Sequence, residues 1–177
     1  MILMEFTTAF LALLATATPI LALETEGIGS IEALFDGETI AQPTVLAREG
    51  DEAQATAFMF LGGAFANLNI VGYNSADNKR LSVEVDYMAE QPGPQTAPMG
   101  VTISYAPRGG AVRWTSDGAP SVPAVTFTTL EADGEEGRAV GTFAAELCYS
   151  EDYEDEGDPA NCRSIEGRFD TRFFVER

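Results

Sequence analysis

Between Cys148 and Cys162 the chain reads Glu151-Asp152-Tyr153-Glu154-Asp155-Glu156-Gly157-Asp158, six carboxylates within eight residues. A calcium ion takes roughly six to eight oxygen ligands, so Asp152, Glu154, Asp155, Glu156 and Asp158 are candidate metal ligands. Asp152, Glu154, Glu156 and Gly157 stand at offsets 1, 3, 5 and 6, as an EF-hand loop begins. Offset 12 is then Arg163, where that loop needs a bidentate Glu. The expected reading is a solvated acidic loop and no cofactor, with calcium as the alternative occupant. Repulsion among these charges would open the loop unless a cation or a covalent tie restrains it.

Other chemistries are restricted by what the chain lacks. It has no His, which removes the Ser-His-Asp triad, the Cys-His pair and any imidazole zinc site. There is no Gly-x-Ser-x-Gly elbow, and Gly62-Gly63 is not followed by the Lys of a phosphate loop. Paired carboxylates could still hydrolyse a glycan, since that chemistry needs no His. Glu84 and Asp86 share one strand face, but an outward polar stripe has the same spacing. No catalytic residue is assigned. Trp114, with Arg113 beside it and Tyr105 across a hairpin, could present a flat surface to a sugar or peptide. Alternation instead sets Val112 and Trp114 together and Arg113 opposite, which places Trp114 in the core. Arg163, Arg168 and Arg172 are expected to offset carboxylates on neighbouring strands.

Charge restricts the partners. Asp and Glu number 28 against 10 Lys and Arg, a net charge of -18, with Lys79 the single lysine. Nucleic acid and anionic membrane surfaces are therefore not expected partners, because both are held by clustered cations. The run Phe6 to Leu23 is apolar and rich in small residues, and Glu24-Thr25-Glu26-Gly27 follows it. It reads as a signal peptide over 1–22, with a cut after Ala22 or, alternatively, Ala17. An uncleaved anchor is the alternative, diluted by Thr7, Thr8, Thr16, Thr18 and Pro19. Export to the periplasm or beyond makes Cys148 and Cys162 a structural disulfide, and no membrane insertion of the mature chain is expected.

These residues need elements to carry them, and the mature chain supplies strands. Ile28 to Phe35 alternates up to the hairpin signal Asp36-Gly37. Leu68 to Tyr73, Leu81 to Tyr87, Val101 to Tyr105, Ala111 to Thr115, Val125 to Leu130, Ala139 to Tyr149 and Phe169 to Val175 follow. Asp51 to Leu61 reads as one further strand. Gln91 to Met99 holds three prolines and reads as a loop. Eight or nine short strands predict one all-β domain over 23–177, an antiparallel β-sandwich, with a β-barrel as the alternative. Phe127, Phe143, Phe169 and Phe173 are predicted core residues.

The order of Asp36-Gly37-Glu38, Val125-Thr126-Phe127-Thr128-Thr129-Leu130, Val140-Gly141-Thr142-Phe143 and Ile165-Glu166-Gly167-Arg168-Phe169-Asp170 resembles a family of uncharacterised exported bacterial all-β proteins. Their C-terminal meander has a Gly-Thr-Phe strand and a Gly-x-Phe-Asp last strand. The resemblance implies an exported β-domain and brings no catalytic residues. The expected function is binding or a structural role in the cell envelope or outside the cell, toward a protein or glycan partner. A carboxylate-dependent glycan hydrolase and a calcium-dependent adhesive module are the alternatives.

Overall fold

Tight turns fix the first hairpins. Asp36 and Gly37 both take positive φ, 50° and 84°, the twist that joins right-twisted strands without splaying them. They link β1 (Glu24–Phe35) to β2 (Glu38–Glu49), and Gly134, at φ 66°, does the same between β9 (Ala124–Asp133) and β10 (Glu136–Ser150). The structure, a computed structural model, describes residues 24–49, 52–74, 76, 78–153 and 155–177. The segment read as a signal peptide lies outside the described residues. No helix among the described residues is long and apolar enough to cross a membrane.

The described residues form an all-β fold of eleven strands in one continuous sheet. One layer runs β3 (Glu52–Ala55), β2, β1, β11 (Asp158–Glu176), β10, β9. The other runs β4 (Ala57–Gly62), β5 (Phe65–Asn74), β6 (Lys79–Tyr87), β7 (Gly100–Ala106), β8 (Arg113–Thr115). The layers are hydrogen-bonded at both margins. The end of β11 pairs in parallel with β4 (Phe174 with Phe58), and β8 pairs with the end of β10 (Arg113 with Ser150). Every pairing except β11 with β4 is antiparallel.

The core lies where the layers face each other. Bare Gly72 on β5 permits close approach: a Cβ there would lie 2.2 Å from the Ile31 side chain and 2.9 Å from that of Gln42. Phe127, Phe143, Phe169 and Phe173 are buried, as alternation predicts, and Phe169 meets Phe127 at 5.4 Å and Phe143 at 6.4 Å between centroids. Trp114 is half-buried, edge-on to Phe35 and Tyr149 at the margin of the core and with the Arg163 guanidinium 5.5 Å from its ring, while Val112, expected on the same side, is exposed. A few polar groups are buried too. Thr44 and Thr171 share a 2.7 Å hydroxyl hydrogen bond, and Gln42 Oε1 accepts the Leu81 N–H. The Tyr87 hydroxyl and Gln42 Nε2 find no partner among the described residues, and burial pushes the Tyr87 phenol pKa up.

Several elements differ from expectation: β11 begins at Asp158 and not at Phe169, β8 is confined to Arg113–Thr115, and two further differences have a clear physical cause. β2 was not anticipated, because Pro43 lies inside it. β3 pairs only from Leu46 onward, so at Pro43 the strand has β1 alone beside it, a position that tolerates the missing N–H. The strand expected over 51–61 is broken at Thr56. Thr56 donates its N–H to Val45 O, accepts the Val45 N–H on its hydroxyl, and accepts the Val71 N–H on its carbonyl. Those three bonds make Thr56 the corner at which the chain leaves one layer and enters the other. Gln91 to Met99 is a loop, as its prolines require.

Candidate functional site

The two outer faces use charge differently. On the β1–β11–β10 face, arginines meet carboxylates across strands: Arg138 with Asp170 at 3.0 Å, Arg168 with Glu32 at 2.6 Å, Arg163 with Asp36 at 3.3 Å, and Arg172 with Glu26. This is the offsetting role expected of Arg163, Arg168 and Arg172. Three grooves cross that face, floored by small residues such as Ala124, Thr126, Thr142 and Ala144. Asp36, Glu32, Arg168 and Asp170 of these pairs stand on their rims, with Glu146 and Glu166 beside them.

The β5–β8 face carries a polar trough of about 580 Å³, within the rough 300–1,000 Å³ range of small-ligand sites. Period-two alternation builds it. On β6, Arg80, Ser82 and Glu84 face outward; on β8 and just beyond it, Arg113, Thr115 and Asp117 do the same. β7 lies between them, with Ser104 opposite Ser82 and Thr115, and Thr102 opposite Glu84. Because β6 and β8 are both antiparallel to β7, they run in the same direction. The two sequences are therefore in phase. Arginine stands at one end, hydroxyls in the middle, and carboxylate at the other end, on both walls.

Hydrogen bonds hold this pattern. Ser82 Oγ and Ser104 Oγ lie 2.7 Å apart on the floor. Thr102 and Thr115 donate to the two oxygens of Asp117, at 3.3 and 3.4 Å. Asn67 Nδ2 donates to Glu84 at 2.9 Å and to Asp86 at 2.7 Å, so the carboxylates expected on one outer stripe are indeed there, bridged by an amide. Only Glu84 of the two lines the trough.

The acidic loop forms one wall. Cys148 and Cys162 stand directly opposite in the β10–β11 register and are disulfide-bonded. Beyond them the loop folds over β8. Tyr153 lies with its ring centroid 4.2 Å from the Arg113 guanidinium, Arg113 Nη2 donates to the Asp155 carbonyl at 3.5 Å, and Gly157 N–H donates to Asp117 O at 2.9 Å. Arg113, set opposite Trp114 as alternation required, is 8% exposed because the loop covers it. Its Nε makes no hydrogen bond among the described residues. Repulsion in the loop is thus opposed by a disulfide and by the chain's own guanidinium. At the arginine end the trough continues into a hollow of about 490 Å³ lined by Arg80, Arg108, Tyr73 and Tyr153.

The metal candidates have different surroundings. Asp155 and Glu156 line the trough, while Asp158 Oδ1 accepts the Ala160 N–H at 2.9 Å. The backbone carbonyls of Asp152 and Asp155 are both taken by Ser150 Oγ. Glu154 lies outside the described residues. Among the described residues, no three His, Cys, Asp or Glu side chains form a group that could hold a metal ion. The trough residues Arg80, Ser82, Thr102, Ser104, Thr115 and Asp117 were missed by sequence reading. Arg-x-Ser-x-Glu at 80–84 and Arg-x-Thr-x-Asp at 113–117 were the available signal. The fold and trough define an all-β protein with one polar, charge-ordered surface site. No protein-family model, curated protein or solved structure matches the chain.

Proposed function

We propose that this chain is an exported binding module of the cell envelope or extracellular space, and that the β5–β8 trough is its ligand site. The observation that carries the reading is convergence: six side chains from β6, β8 and the residues just beyond β8, a hydroxyl floor and a covalently tethered loop enclose one polar volume. Binding sites combine a preformed hollow with a few fixed polar groups, and this trough has both. The interior between the layers is filled by apolar side chains, which leaves the outer face to do the recognition. The disulfide fits an oxidising compartment, in keeping with export.

The test is a trough-filling substitution. Ser104→Trp, on the floor, should leave the melting temperature within a few degrees of the parent. It should abolish saturable binding of polar small molecules seen by ligand-observed NMR. Binding that survives Ser104→Trp would place the ligand elsewhere and remove the trough from the reading.

A second reading is favoured by one observation: Glu84 and Asp117 are carboxylates on opposite walls, two strands apart, or about 10 Å between backbones. Glycan hydrolysis uses two such carboxylates flanking the scissile bond. Release of reducing ends from a polysaccharide, lost in both Glu84→Gln and Asp117→Asn, would make the site an active site. Retained hydrolysis in either variant would exclude this pair.

A further inference from the structure

We propose that the trough takes a short zwitterionic chain lengthwise, of which a free tripeptide is the simplest example. Its carboxylate lies against Arg80 at the arginine end, where Tyr153 covers Arg113 alongside, and its ammonium between Glu84 and Asp117. This rests on the binding reading above and adds the ligand's charge, polarity and length. The in-phase walls are the reason. Arg80 and Arg113 flank one end, extended by Arg108 in the adjoining hollow; Glu84 and Asp117 flank the other. Glu156 adds to the acidic end, its Cβ only 3.0 Å from where a Gly118 side chain would begin.

Each simpler ligand leaves part of the site unmatched. A plain anion would meet four carboxylates, Glu84, Asp117, Asp155 and Glu156, on a chain of charge -18. A plain cation would meet the arginine end. A neutral sugar would displace water from charged groups at both ends and offer no counter-charge to either. A zwitterion matches both ends, and only in one orientation.

Length selects among zwitterions. Four residues of β6 separate Arg80 from Glu84, about 13 Å along the strand. Charge-assisted hydrogen bonds of about 2.8 Å at each end leave a shorter span for the ligand itself. A single amino acid cannot bridge it, whereas three extended residues reach about 10 Å. Between the ends, Ser82, Ser104 and Thr115 stand level on three neighbouring strands and offer a rung of hydroxyls to the middle of the ligand, with Thr102 level with Glu84 at the acidic end. The arginine end is held in advance: Tyr153 covers Arg113, whose Nη2 is also tied to the Asp155 carbonyl. A preorganised cation loses less freedom on binding than a mobile one.

Calorimetric titration of the disulfide-intact protein with trialanine tests this. Trialanine should bind saturably, and N-acetylation, C-terminal amidation or shortening to alanine should each weaken binding at least tenfold. Raising salt should weaken it as well. In Glu84→Gln/Asp117→Asn the penalty for acetylation should vanish. In Arg80→Gln the penalty for amidation should shrink, while Arg113 is left in place because it holds the loop. If doubly blocked trialanine or a neutral oligosaccharide binds as tightly as free trialanine, and Ser104→Trp removes it, the zwitterion assignment fails and the binding reading stands. If trialanine binds but the carboxylate and arginine variants leave the blocking penalties unchanged, the assignment of the two ends fails. If neither trialanine nor any other polar ligand binds in a way that Ser104→Trp abolishes, both readings fall.

Discussion

Replacing Tyr87 by Phe should make this protein more stable. Tyr87 ends β6 opposite Ala66, is wholly buried, and its hydroxyl has no hydrogen-bond partner among the described residues. A buried polar group left unsatisfied costs about 1–3 kcal/mol. Removing the oxygen relieves that cost and forfeits a few dispersion contacts, at roughly 0.1–0.2 kcal/mol for each atom pair. The expected gain at neutral pH is about 1–2 kcal/mol, the difference of those two terms.

The alkaline limb gives a second, independent readout. Burial holds the Tyr87 phenol above its ordinary value, which is near 10. In the unfolded chain the phenol ionises first. The stability that this group contributes is therefore full below about pH 10 and falls as pH rises toward the folded value. The loss approaches about 1.4 kcal/mol per pH unit for one group. Tyr87→Phe deletes this contribution, so its advantage over the parent should widen above pH 10 and stay constant below it. Urea unfolding followed by Trp114 fluorescence at pH 7, 9 and 11 measures both effects. A destabilisation of about 1 kcal/mol or more at pH 7 would mean that the hydroxyl is hydrogen-bonded, by a buried water for instance, and would refute the reasoning.

Phe143→Ala should cost about 3–5 kcal/mol, since Phe143 is 3% exposed and stacked on Phe169; a loss under about 1 kcal/mol in urea unfolding would break the β10 register. Reducing the Cys148–Cys162 bond, which spans 14 residues, should lower stability by about 3 kcal/mol and leave the β-sheet circular dichroism unchanged. Calcium and magnesium should shift the melting temperature equally, because screening does not discriminate between them. A saturable response to calcium alone, lost in Asp152→Asn/Asp155→Asn/Asp158→Asn, would make the loop a metal site.

What could be read from the sequence follows from which structural terms are local. Turn chemistry at Asp36-Gly37 is local, and period-two burial of Phe127, Phe143, Phe169 and Phe173 is nearly so. Both were legible. β2 was not, because the tolerance for Pro43 depends on where β3 stops, a fact about another strand. The corner at Thr56 was hidden for the same reason, since its partners Val45 and Val71 belong to opposite layers. The trough is less local still. Arg80-Ser82-Glu84 and Arg113-Thr115-Asp117 each look like an ordinary polar stripe. They become two walls of one site only because β7 has the register that brings Ser104 level with both Ser82 and Thr115.

The distribution of the arginines bears on why the loop and the trough belong together. On the β1–β11–β10 face, guanidinium groups sit in exposed cross-strand pairs, where each pair contributes up to about 1 kcal/mol and little desolvation is needed. Arg113 is different. It is buried under Tyr153 and forms no ion pair among the described residues, so it bears a desolvation cost that the surface pairs avoid. Solubility alone gives no reason to bury a cation in a chain of charge -18. Fixing a wall does: the ring of Tyr153, the carbonyl of Asp155 and the disulfide at the loop's base all act on the segment that closes the trough beside β8. Releasing that segment should therefore affect the trough before it affects the core. Arg113→Gln is the perturbation that separates them, because its side chain points away from the buried aromatic cluster. Ligand affinity should fall at least tenfold in that variant, with the urea midpoint moving far less than it does on Phe143→Ala. Equal losses in the two variants would mean that the loop is part of the folding core and not a wall fastened to it.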